Sequence, residues 1–258
     1  MKKVWVSALS KNEESIQKVM ESIKTYGMSP AGHFWQDDAE NMAWLGARDE
    51  LLAKDVALWL IVGGPEDFGR DSVRYALSLL AIDIQAQRGI GFPIVVASTD
   101  PDLKAELLPT PLKGAEVLSL SSPTLGVKIV SLANMPPKKL KAEYRLGVYA
   151  IPRVGTWLEV GPAPGQVWKG AMFGVSGGDI AAHGVGGAGV IPERCVLEYA
   201  MKGMKLQLGE KEYTAWSAQN ELDESLSYYV SIRDYPSSIL FGPLPSGDDA
   251  EVFVLALK

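Results

Sequence analysis

Acidic side chains follow the most hydrophobic segment of the sequence. Residues 56–62 form a continuous apolar run that ends at Gly63-Gly64, and Glu66, Asp67 and Asp71 come directly afterwards. Carboxylates that follow a buried strand lie at its carboxyl end, where open α/β sheets bind ligands. Acidic residues just before a helix also act as solvated caps that complement the helix dipole. The pattern therefore predicts either a catalytic or ligand-binding site or an ordinary helix start.

A glycine-rich segment, residues 174–189, offers a second candidate site. Its Gly184-Val-Gly-Gly-Ala-Gly189 stretch fits the dinucleotide pattern G-x-G-x-x-G, which binds pyrophosphate only where it follows a strand and begins a helix. Pro192 and β-forming neighbours argue against a helix here and favour a glycine-rich hairpin, a mobile loop or an anion pocket lined by backbone. His183 lies within this segment as a candidate ligand-binding or acid-base residue, or as an ordinary hydrogen-bonding one.

The residues that most often bind metals are sparse. The two histidines, His33 and His183, are far apart in sequence, and Cys195 is the single cysteine. One cysteine excludes an intramolecular disulfide and a cysteine-based zinc cluster, and it fits a reducing compartment. We therefore expect no metal site and a buried, inert thiol at Cys195.

Five repeats of strand and helix position the acidic residues. Strands are predicted over residues 4–7, 31–35, 56–62, 93–97 and 115–120. Helical spacing predicts helices over residues 41–54 and 71–88, and a shorter one over 101–108. This alternation indicates an α/β domain with a parallel sheet, whose strands meet at their carboxyl ends and there bind ligands. The acidic turn Asp37-Asp38 follows the second predicted strand, so it belongs to the same edge.

The character of the sequence changes after residue 134. Of the 26 glycines, 16 lie between residues 136 and 258, and short β-rich runs replace the helical pattern. Gly209-Glu210 between two such runs predicts a hairpin turn. We therefore expect two domains, residues 1–134 with the α/β fold and residues 135–258 as a mainly antiparallel barrel or sandwich.

Composition and charge limit the possible environments. The chain has 25 basic and 31 acidic residues, a net charge of -6, which argues against a surface that tracks nucleic-acid phosphates. Its longest apolar run is far shorter than the roughly 20 residues needed to cross a bilayer, and its start does not resemble a signal peptide. We expect a cytoplasmic protein with no membrane partner.

Several of these segments together resemble the TIR-like branch of flavodoxin-like domains, which includes Toll/interleukin receptor modules and nucleoside deoxyribosyltransferases. The resemblance covers about residues 3–122. Val4-Trp-Val-Ser-Ala-Leu-Ser-Lys-Asn12 resembles the first strand and loop of those domains, with Ser7 at the end of the strand, although an Asp often stands where this chain has Asn12. The segment from Ala47 to Val62 is similar to the helix and hydrophobic third strand.

The resemblance implies a site on the helix after the third strand. Enzymes of these families carry a glutamate there, a few residues before an aromatic-Ala pair, and it contacts the ribose of NAD or a nucleoside. Tyr75-Ala76 is similar to that pair, and the family spacing places Ser72 where the glutamate stands. A serine hydroxyl cannot replace a carboxylate that stabilises an oxocarbenium-like centre. Asp71 could substitute only if the helix register shifts by one residue, a rotation of about 100°.

Three functions remain open from the sequence. The first is a degenerate TIR-like module that binds a nucleotide or ADP-ribose-like ligand without turnover, with no required cofactor although NAD is a possible ligand. The second is an enzyme that cleaves NAD or a nucleoside with Asp71, Glu66 or Asp67, under a glycine-rich lid carrying His183. The third is an assembly protein that forms homo-oligomers through exposed aromatics such as Trp157 and Trp168. The predicted ligand-binding residues are Ser7, Asp37, Gly63, Gly64, Ser72, Tyr75 and His183.

Overall fold

The computed structural model describes residues 1–194, 196–245 and 251–258. Its contacts divide the chain into two compact units, Met1–Leu140 and Lys141–Lys258. The expected buried thiol of Cys195 lies outside the described residues. Among the residues that are described, no helix is both long and apolar enough to cross a membrane.

Five parallel strands form the centre of the first unit and confirm the α/β prediction. They are β1 (Lys3–Ala8), β2 (Ser29–Phe34), β3 (Val56–Gly63), β4 (Ile94–Ser98) and β5 (Glu116–Ser119). They pair in the order β2-β1-β3-β4-β5. This order is consistent with a flavodoxin-like domain, and it places the switch in strand order between β1 and β3.

Five helices of the first unit are described, and the sequence pattern predicts neither the one at 65–69 nor the one at 125–134. They are α1 (Glu13–Thr25), α2 (Arg48–Leu52), α3 (Pro65–Gly69), α4 (Asp71–Arg88) and α5 (Leu125–Asn134). The helix predicted over residues 41–54 is wrong in extent, because Met42 has a left-handed φ of 55° and Ala43–Ala47 forms a 3-10 helix. The helix predicted over 101–108 is wrong as well, since only the 3-10 turn Ala105–Leu107 forms there.

Helices cover both faces of the parallel sheet. On one face Leu58, Leu60 and their neighbours on β1 and β4 pack against α1 and α5, at Ile23 and Ile129 among others. Right-handed crossovers place α4 on the opposite face, because the chain moves in opposite directions across the sheet after β1 and after β3. Every residue of α4 from 75 to 84 is buried. This helix is therefore surrounded by protein on nearly all sides.

A buried ion pair anchors α4 to α2. Asp83 of α4 has 3% of its side chain exposed and pairs with the guanidinium of Arg48, which is one-third exposed. Burial raises the pKa of the Asp83 carboxyl, and the hydrogen bond from Arg48 opposes that rise. The same hydrogen bond raises the pKa of Arg48. The buried Asp83 carboxylate therefore depends on Arg48 to offset the cost of burying its charge.

The second unit consists of two antiparallel sheets, consistent with the expected sandwich. Its strands are β6 (Tyr144–Ile151), β7 (Gly155–Pro162), β8 (Trp168–Ser176), β9 (Asp179–Gly187), β10 (Met201–Leu208), β11 (Lys211–Leu222), β12 (Leu226–Arg233), β13 (Ser238–Pro243) and β14 (Phe253–Ala256). One sheet has the order β10-β11-β8-β13-β14 and the other β6-β7-β12-β9. Rings of the two sheets meet at Tyr144 with Phe241 and at His183 with Trp216.

The hairpin predicted at Gly209-Glu210 is confirmed. Leu208 of β10 pairs with Lys211 of β11, and Gly209 supplies the positive φ of 58° that the turn requires. Another prediction is wrong, because Trp168, which the assembly hypothesis expects to be exposed, is buried.

A buried carboxylate organises the sheet that contains β7. Glu159 accepts hydrogen bonds from the hydroxyls of Tyr149 and Ser227, each at 2.6 Å, and from the backbone N–H of Gly189 at 2.9 Å. Tyr229 donates to the carbonyl of Gly187 at 2.5 Å. Buried polar groups need partners, and these bonds fix the end of the glycine-rich segment to β6, β7 and β12.

Replacing Arg48 alone should destabilise the protein more than replacing both Arg48 and Asp83. We expect Arg48→Met to lower the free energy of unfolding at pH 7 by about 3–5 kcal/mol, because Asp83 would keep an uncompensated buried charge. This loss should shrink as the pH falls through the raised pKa of Asp83, since protonation removes that charge. Denaturant titrations should also show recovery in the Arg48→Met, Asp83→Asn double variant. A double variant as unstable as Arg48→Met at pH 7 would contradict the prediction.

Candidate functional site

The switch in strand order lies beside the carboxyl ends of β1 and β3. There the N–H of Leu9 donates to the carbonyl of Val62 at 2.8 Å. A Cβ on Gly63 would lie 2.8 Å from Cδ1 of Leu9 and 3.2 Å from the ring of Phe68. Leu9 and Phe68 are both buried, so the space directly over Gly63 is filled by these two side chains. The polar groups of the loops lie beyond this apolar layer.

Gly64 and Asp67 lie above this apolar floor. They belong to the rim, a name used here for the loops that follow the five parallel strands. Asp67 Oδ2 accepts the N–H of Gly64 at 2.9 Å, and this bond closes the first turn of α3. A Cβ on Gly64 would lie 2.7 Å from Oγ1 of Thr99, so a glycine here allows the loop after β3 to approach the end of β4. The predicted pair Gly63-Gly64 therefore has one glycine against the floor and one at the rim.

Arg70 connects the loops on either side of β1. Its guanidinium donates to Asp67 Oδ1 and to Asp37 Oδ2, both at 2.9 Å. Asp37 follows β2 and Asp67 follows β3, and β1 lies between those strands in the sheet. The ion pairs therefore cross the carboxyl end of β1, at the switch in strand order. Asp37 and Asp67, two of the predicted site residues, are brought together here.

The other predicted residues of the first unit differ in accessibility. Glu66 and Asp71 are exposed, and Ser72 is half-buried in the first turn of α4. Tyr75 is buried in the same helix. Asp71 is thus a solvated carboxylate at a helix start, the place where such a charge complements the dipole.

Ser7 lies below the rim, on the face of the sheet. It is fully buried on β1, and its Oγ accepts the indole N–H of Trp59 at 3.0 Å. The register places Ser7 beside His33 of β2 and Ile61 of β3. Its contact in this structure is therefore with Trp59, and a ligand at the rim would not touch it directly.

The rim is acidic. The segments that follow the five parallel strands, residues 9–12, 35–42, 64–74, 99–107 and 120–124, contain nine acidic and four basic residues. The acidic ones are Asp37, Asp38, Glu40, Glu66, Asp67, Asp71, Asp100, Asp102 and Glu106, and the basic ones are Lys11, Arg70, Arg74 and Lys104. Arg70 is bound to two carboxylates, and Arg74 donates to the carbonyls of Phe68 and Leu107, each at 3.0 Å. The local field therefore repels anionic groups.

His183 belongs to a strand of the second unit and not to a loop. Of the alternatives for residues 174–189, the mobile loop is wrong for residues 179–187, because they form β9 and the register continues through Gly184 and Gly187. The reason is that glycines on an edge strand still donate and accept the ladder hydrogen bonds with their one neighbour. The part of the enzymatic alternative that places His183 on a mobile loop is therefore wrong.

The surroundings of His183 suppress its charge. Its Nδ1 shares a 2.6 Å hydrogen bond with the hydroxyl of Tyr228, and its ring meets the edge of Trp216 with centroids 4.8 Å apart. Lys202 lies 4.5 Å from the centroid of the Trp216 ring. Burial, assisted by the charge of Lys202, lowers the pKa of His183 from 6.5 to about 4. Burial also raises the pKa of Tyr228, so both groups are neutral at pH 7.

Two sets of residues were missed by sequence reasoning. Arg70 carries only a weak signal, its spacing of three residues from Asp67, because its bond to Asp37 joins distant parts of the chain. The aromatic set Trp5, His33 and Trp35 shows the alternation of a strand face but no motif. Their proximity arises from pairing between β1 and β2.

No protein-family model matches this chain, and no curated protein matches it. Within the described ranges, no three His, Cys, Asp or Glu side chains are grouped so that they could hold a metal ion.

The cost in stability of substituting Gly63 should depend on Leu9, which packs against it. We expect Gly63→Ala to lower the free energy of unfolding by about 1–3 kcal/mol, because the new methyl group overlaps Leu9 and Phe68. Leu9→Ala should then cost less in the Gly63→Ala background than in the wild type, since the smaller residue relieves the overlap. Chemical denaturation of the four proteins measures this coupling. Strictly additive effects would show that Leu9 does not fill the space over Gly63.

The lowered pKa of His183 should destabilise the fold in acid. Between pH 6.5 and 4 the unfolded chain binds a proton at His183 and the folded chain does not, so stability falls as the pH falls. The contribution reaches about 3 kcal/mol near pH 4 and is absent above pH 7. Between these pH values the free energy of unfolding of His183→Gln, measured by urea titration, should fall less than that of the wild type. Parallel pH profiles for the two proteins would contradict the lowered pKa, and Lys202→Met serves as a control that should shift the profile only slightly.

Proposed function

We propose that the first unit recognises the sugar portion of a nucleoside-type ligand at the rim over β1, without cleaving it. The observation that carries this proposal is the Arg70 bridge between Asp37 and Asp67, which sets two oriented carboxylates at the switch in strand order. Open α/β sheets bind ligands at that place. A relation to the TIR and deoxyribosyltransferase families is part of the proposal.

The chemistry of the rim suits hydroxyl donors. Carboxylate oxygens accept hydrogen bonds, and each has two lone pairs, so the oxygens of Asp37 and Asp67 retain capacity beyond Arg70 and Gly64. Sugar hydroxyls supply the matching donors. Thr99 at the end of β4 adds a hydroxyl next to Gly64.

The charge of the rim selects among ligands of this class. Five excess negative charges, nine acidic less four basic over the same segments, disfavour a pyrophosphate. The main cations are also bound already, Arg70 by carboxylates and Arg74 by backbone carbonyls. We therefore favour an uncharged nucleoside or free ribosyl group over NAD or ADP-ribose.

Binding without turnover is favoured by the state of the carboxylates. Asp67 uses both oxygens in the α3 cap and in the Arg70 pair, while Glu66 and Asp71 are exposed to water. A carboxylate that stabilises an oxocarbenium-like centre acts best when it is positioned and shielded from water. Ser72 stands where the resemblance implies a glutamate.

A ligand panel tests binding. We expect adenosine, other nucleosides or ribose to raise the temperature of unfolding of the whole protein, by an amount that corresponds to about 2.7 kcal/mol at 100 times Kd. NAD and ADP-ribose should act more weakly at low salt, and Asp37→Asn should reduce the effect of the nucleosides. Asp38→Asn is a matched control, because Asp38 only caps Asn41 nearby. A stronger response to NAD than to nucleosides would overturn the preference for uncharged ligands, and no response to any of them would overturn the proposal.

Turnover is tested in the same samples by chromatography of released base. The wild type should release none, whereas Ser72→Glu, which restores the carboxylate implied by the resemblance, should release measurable base and Ser72→Gln should not. Release by the wild type that Asp71→Asn or Glu66→Gln abolishes would instead establish the enzymatic alternative.

A further inference from the structure

A cavity of about 420 Å³ lies at the amino ends of β3 and β4, on the opposite edge of the sheet from the rim. Its apolar part is lined by Val56 and Ala57 at the start of β3, Phe92 and Pro93 before β4, and Met135 after α5. Val56 and Phe92 are buried, so this part of the wall is fixed by the core of the first unit. Small-molecule sites commonly have such volumes and apolar walls.

The chain after α5 packs closely against this edge. A Cβ on Gly91 would overlap the carbonyl oxygen of Lys138, so the glycine allows the two backbone segments to meet. Met135 and Pro137 of the same segment line the cavity. The cavity is therefore bounded both by the ends of the strands and by the chain that follows α5.

Arg88, at the end of α4, is a fixed cation in the wall of this cavity. Its guanidinium donates to three carbonyls of the turn before β3, at 3.0, 2.8 and 2.7 Å, and it lies 4.7 Å from the centroid of the Phe92 ring. Carbonyls are neutral, so these bonds orient the charge of Arg88 without compensating it. Burial lowers the pKa of Arg88, and the charge of Asp55 offsets this only in part.

Lys2 and Lys54 add two positive charges to the same wall. Lys2 donates to the carbonyl of Ala133 at 3.0 Å, near the end of α5, while Lys54 forms no hydrogen bond or ion pair with another described residue. Asp55 also lines the cavity, and its carboxylate lies 3.4 Å from Nζ of Lys3. Within the described part of the chain, the three cations of the wall therefore lack an anionic partner.

The charge of this edge is opposite to that of the rim. The segments that enter the five parallel strands and the chain after α5, residues 1–2, 26–28, 53–55, 88–93, 113–115 and 135–140, contain six basic residues and one acidic residue. The basic ones are Lys2, Lys54, Arg88, Lys113, Lys138 and Lys139, and the acidic one is Asp55. The ends of α4 and α5 add roughly half a negative charge each, which does not balance this excess. The local field therefore attracts anions.

We propose that this cavity binds a small organic anion with an apolar body, whose carboxylate or phosphate contacts Lys54 and Arg88 and whose body packs against Phe92 and Met135. An inorganic ion would leave the apolar wall unused, and an uncharged ligand would leave the cations without an anionic partner. The site lies at the other edge of the sheet from the rim, and it does not depend on the proposed recognition of a nucleoside.

The first test uses the unmodified protein. Benzoate and phenyl phosphate are titrated at constant ionic strength, and the methionine methyl resonances are followed by NMR. We expect a saturable shift at Met135 with at least one of them, and none at Met42, which lies at the rim. Benzamide, which has the ring without the charge, and acetate and inorganic phosphate, which lack the ring, should bind at least about tenfold more weakly.

The two anions distinguish the possible sources of the charge. A response to benzoate alone identifies a carboxylate as the group that is bound, and a response to phenyl phosphate alone identifies a phosphate. The absence of a saturable shift at Met135, or equally tight binding of the neutral or ring-free probes, would overturn the proposal.

A pair of matched lysine variants provides the second test. Lys54→Met keeps the aliphatic part of the side chain and breaks no bond, so without ligand it should unfold at the wild-type temperature. We expect it to raise the Kd of the responding anion about tenfold, whereas Lys54→Arg should retain binding. Lys113→Met is the control, because Lys113 is an exposed lysine of the same edge that lies outside the cavity wall. An unchanged Kd in Lys54→Met, or an equal loss in Lys113→Met, would contradict a site in this cavity.

Discussion

A parallel sheet has to be covered on both faces, and this requirement shapes the first unit. β3 meets it most fully, because its side chains on both faces are buried, Leu58 and Leu60 on one and Trp59 and Ile61 on the other. Helices must therefore lie on both sides of it, and right-handed crossovers determine which ones. The helix α4 becomes so deeply enclosed that its one buried carboxylate requires a cationic partner from α2. The ion pair is thus a consequence of covering the sheet.

The same requirement leaves the carboxyl edge as the place where polar groups of several loops can meet. Apolar side chains continue to the last residue that the sheet can enclose, where Leu9 and Phe68 close the space over Gly63. Above that level the chain is acidic, and Arg70 holds the loops after β2 and β3 together. The rim is consequently preorganised by ion pairs and by the α3 cap, and it presents acceptors more readily than donors. That balance is the basis of the proposed recognition of hydroxyl groups.

Both units contain buried polar groups, and most of the described ones have hydrogen-bond partners. In the second unit the carboxylate of Glu159 receives three hydrogen bonds, and each donor comes from a different part of the sheet or its connections. His183 is kept neutral by burial and shares a bond with Tyr228. Within the described residues, buried nitrogens of Trp5, His33 and Trp35 in the first unit have no hydrogen-bond partner, and neither do Nε of Arg145, Nε2 of His183 and Oγ of Ser217 in the second. A fully satisfied network such as that of Glu159 helps to specify a unique core.

Local pattern in the sequence determined the five parallel strands, the helices with strong apolar spacing, and the hairpin at Gly209-Glu210. These features depend on periodicity and turn chemistry within a few residues. The sequence also located the acidic rim, since strand ends and the residues after them are adjacent in the chain. Only the tertiary structure decided that Arg70 reaches Asp37, that the segment containing His183 is a strand, and that the ring of His33 lies beside those of Trp5 and Trp35. Each of these depends on pairing between segments that are distant in sequence, and composition or spacing within one segment contains no information about such pairing.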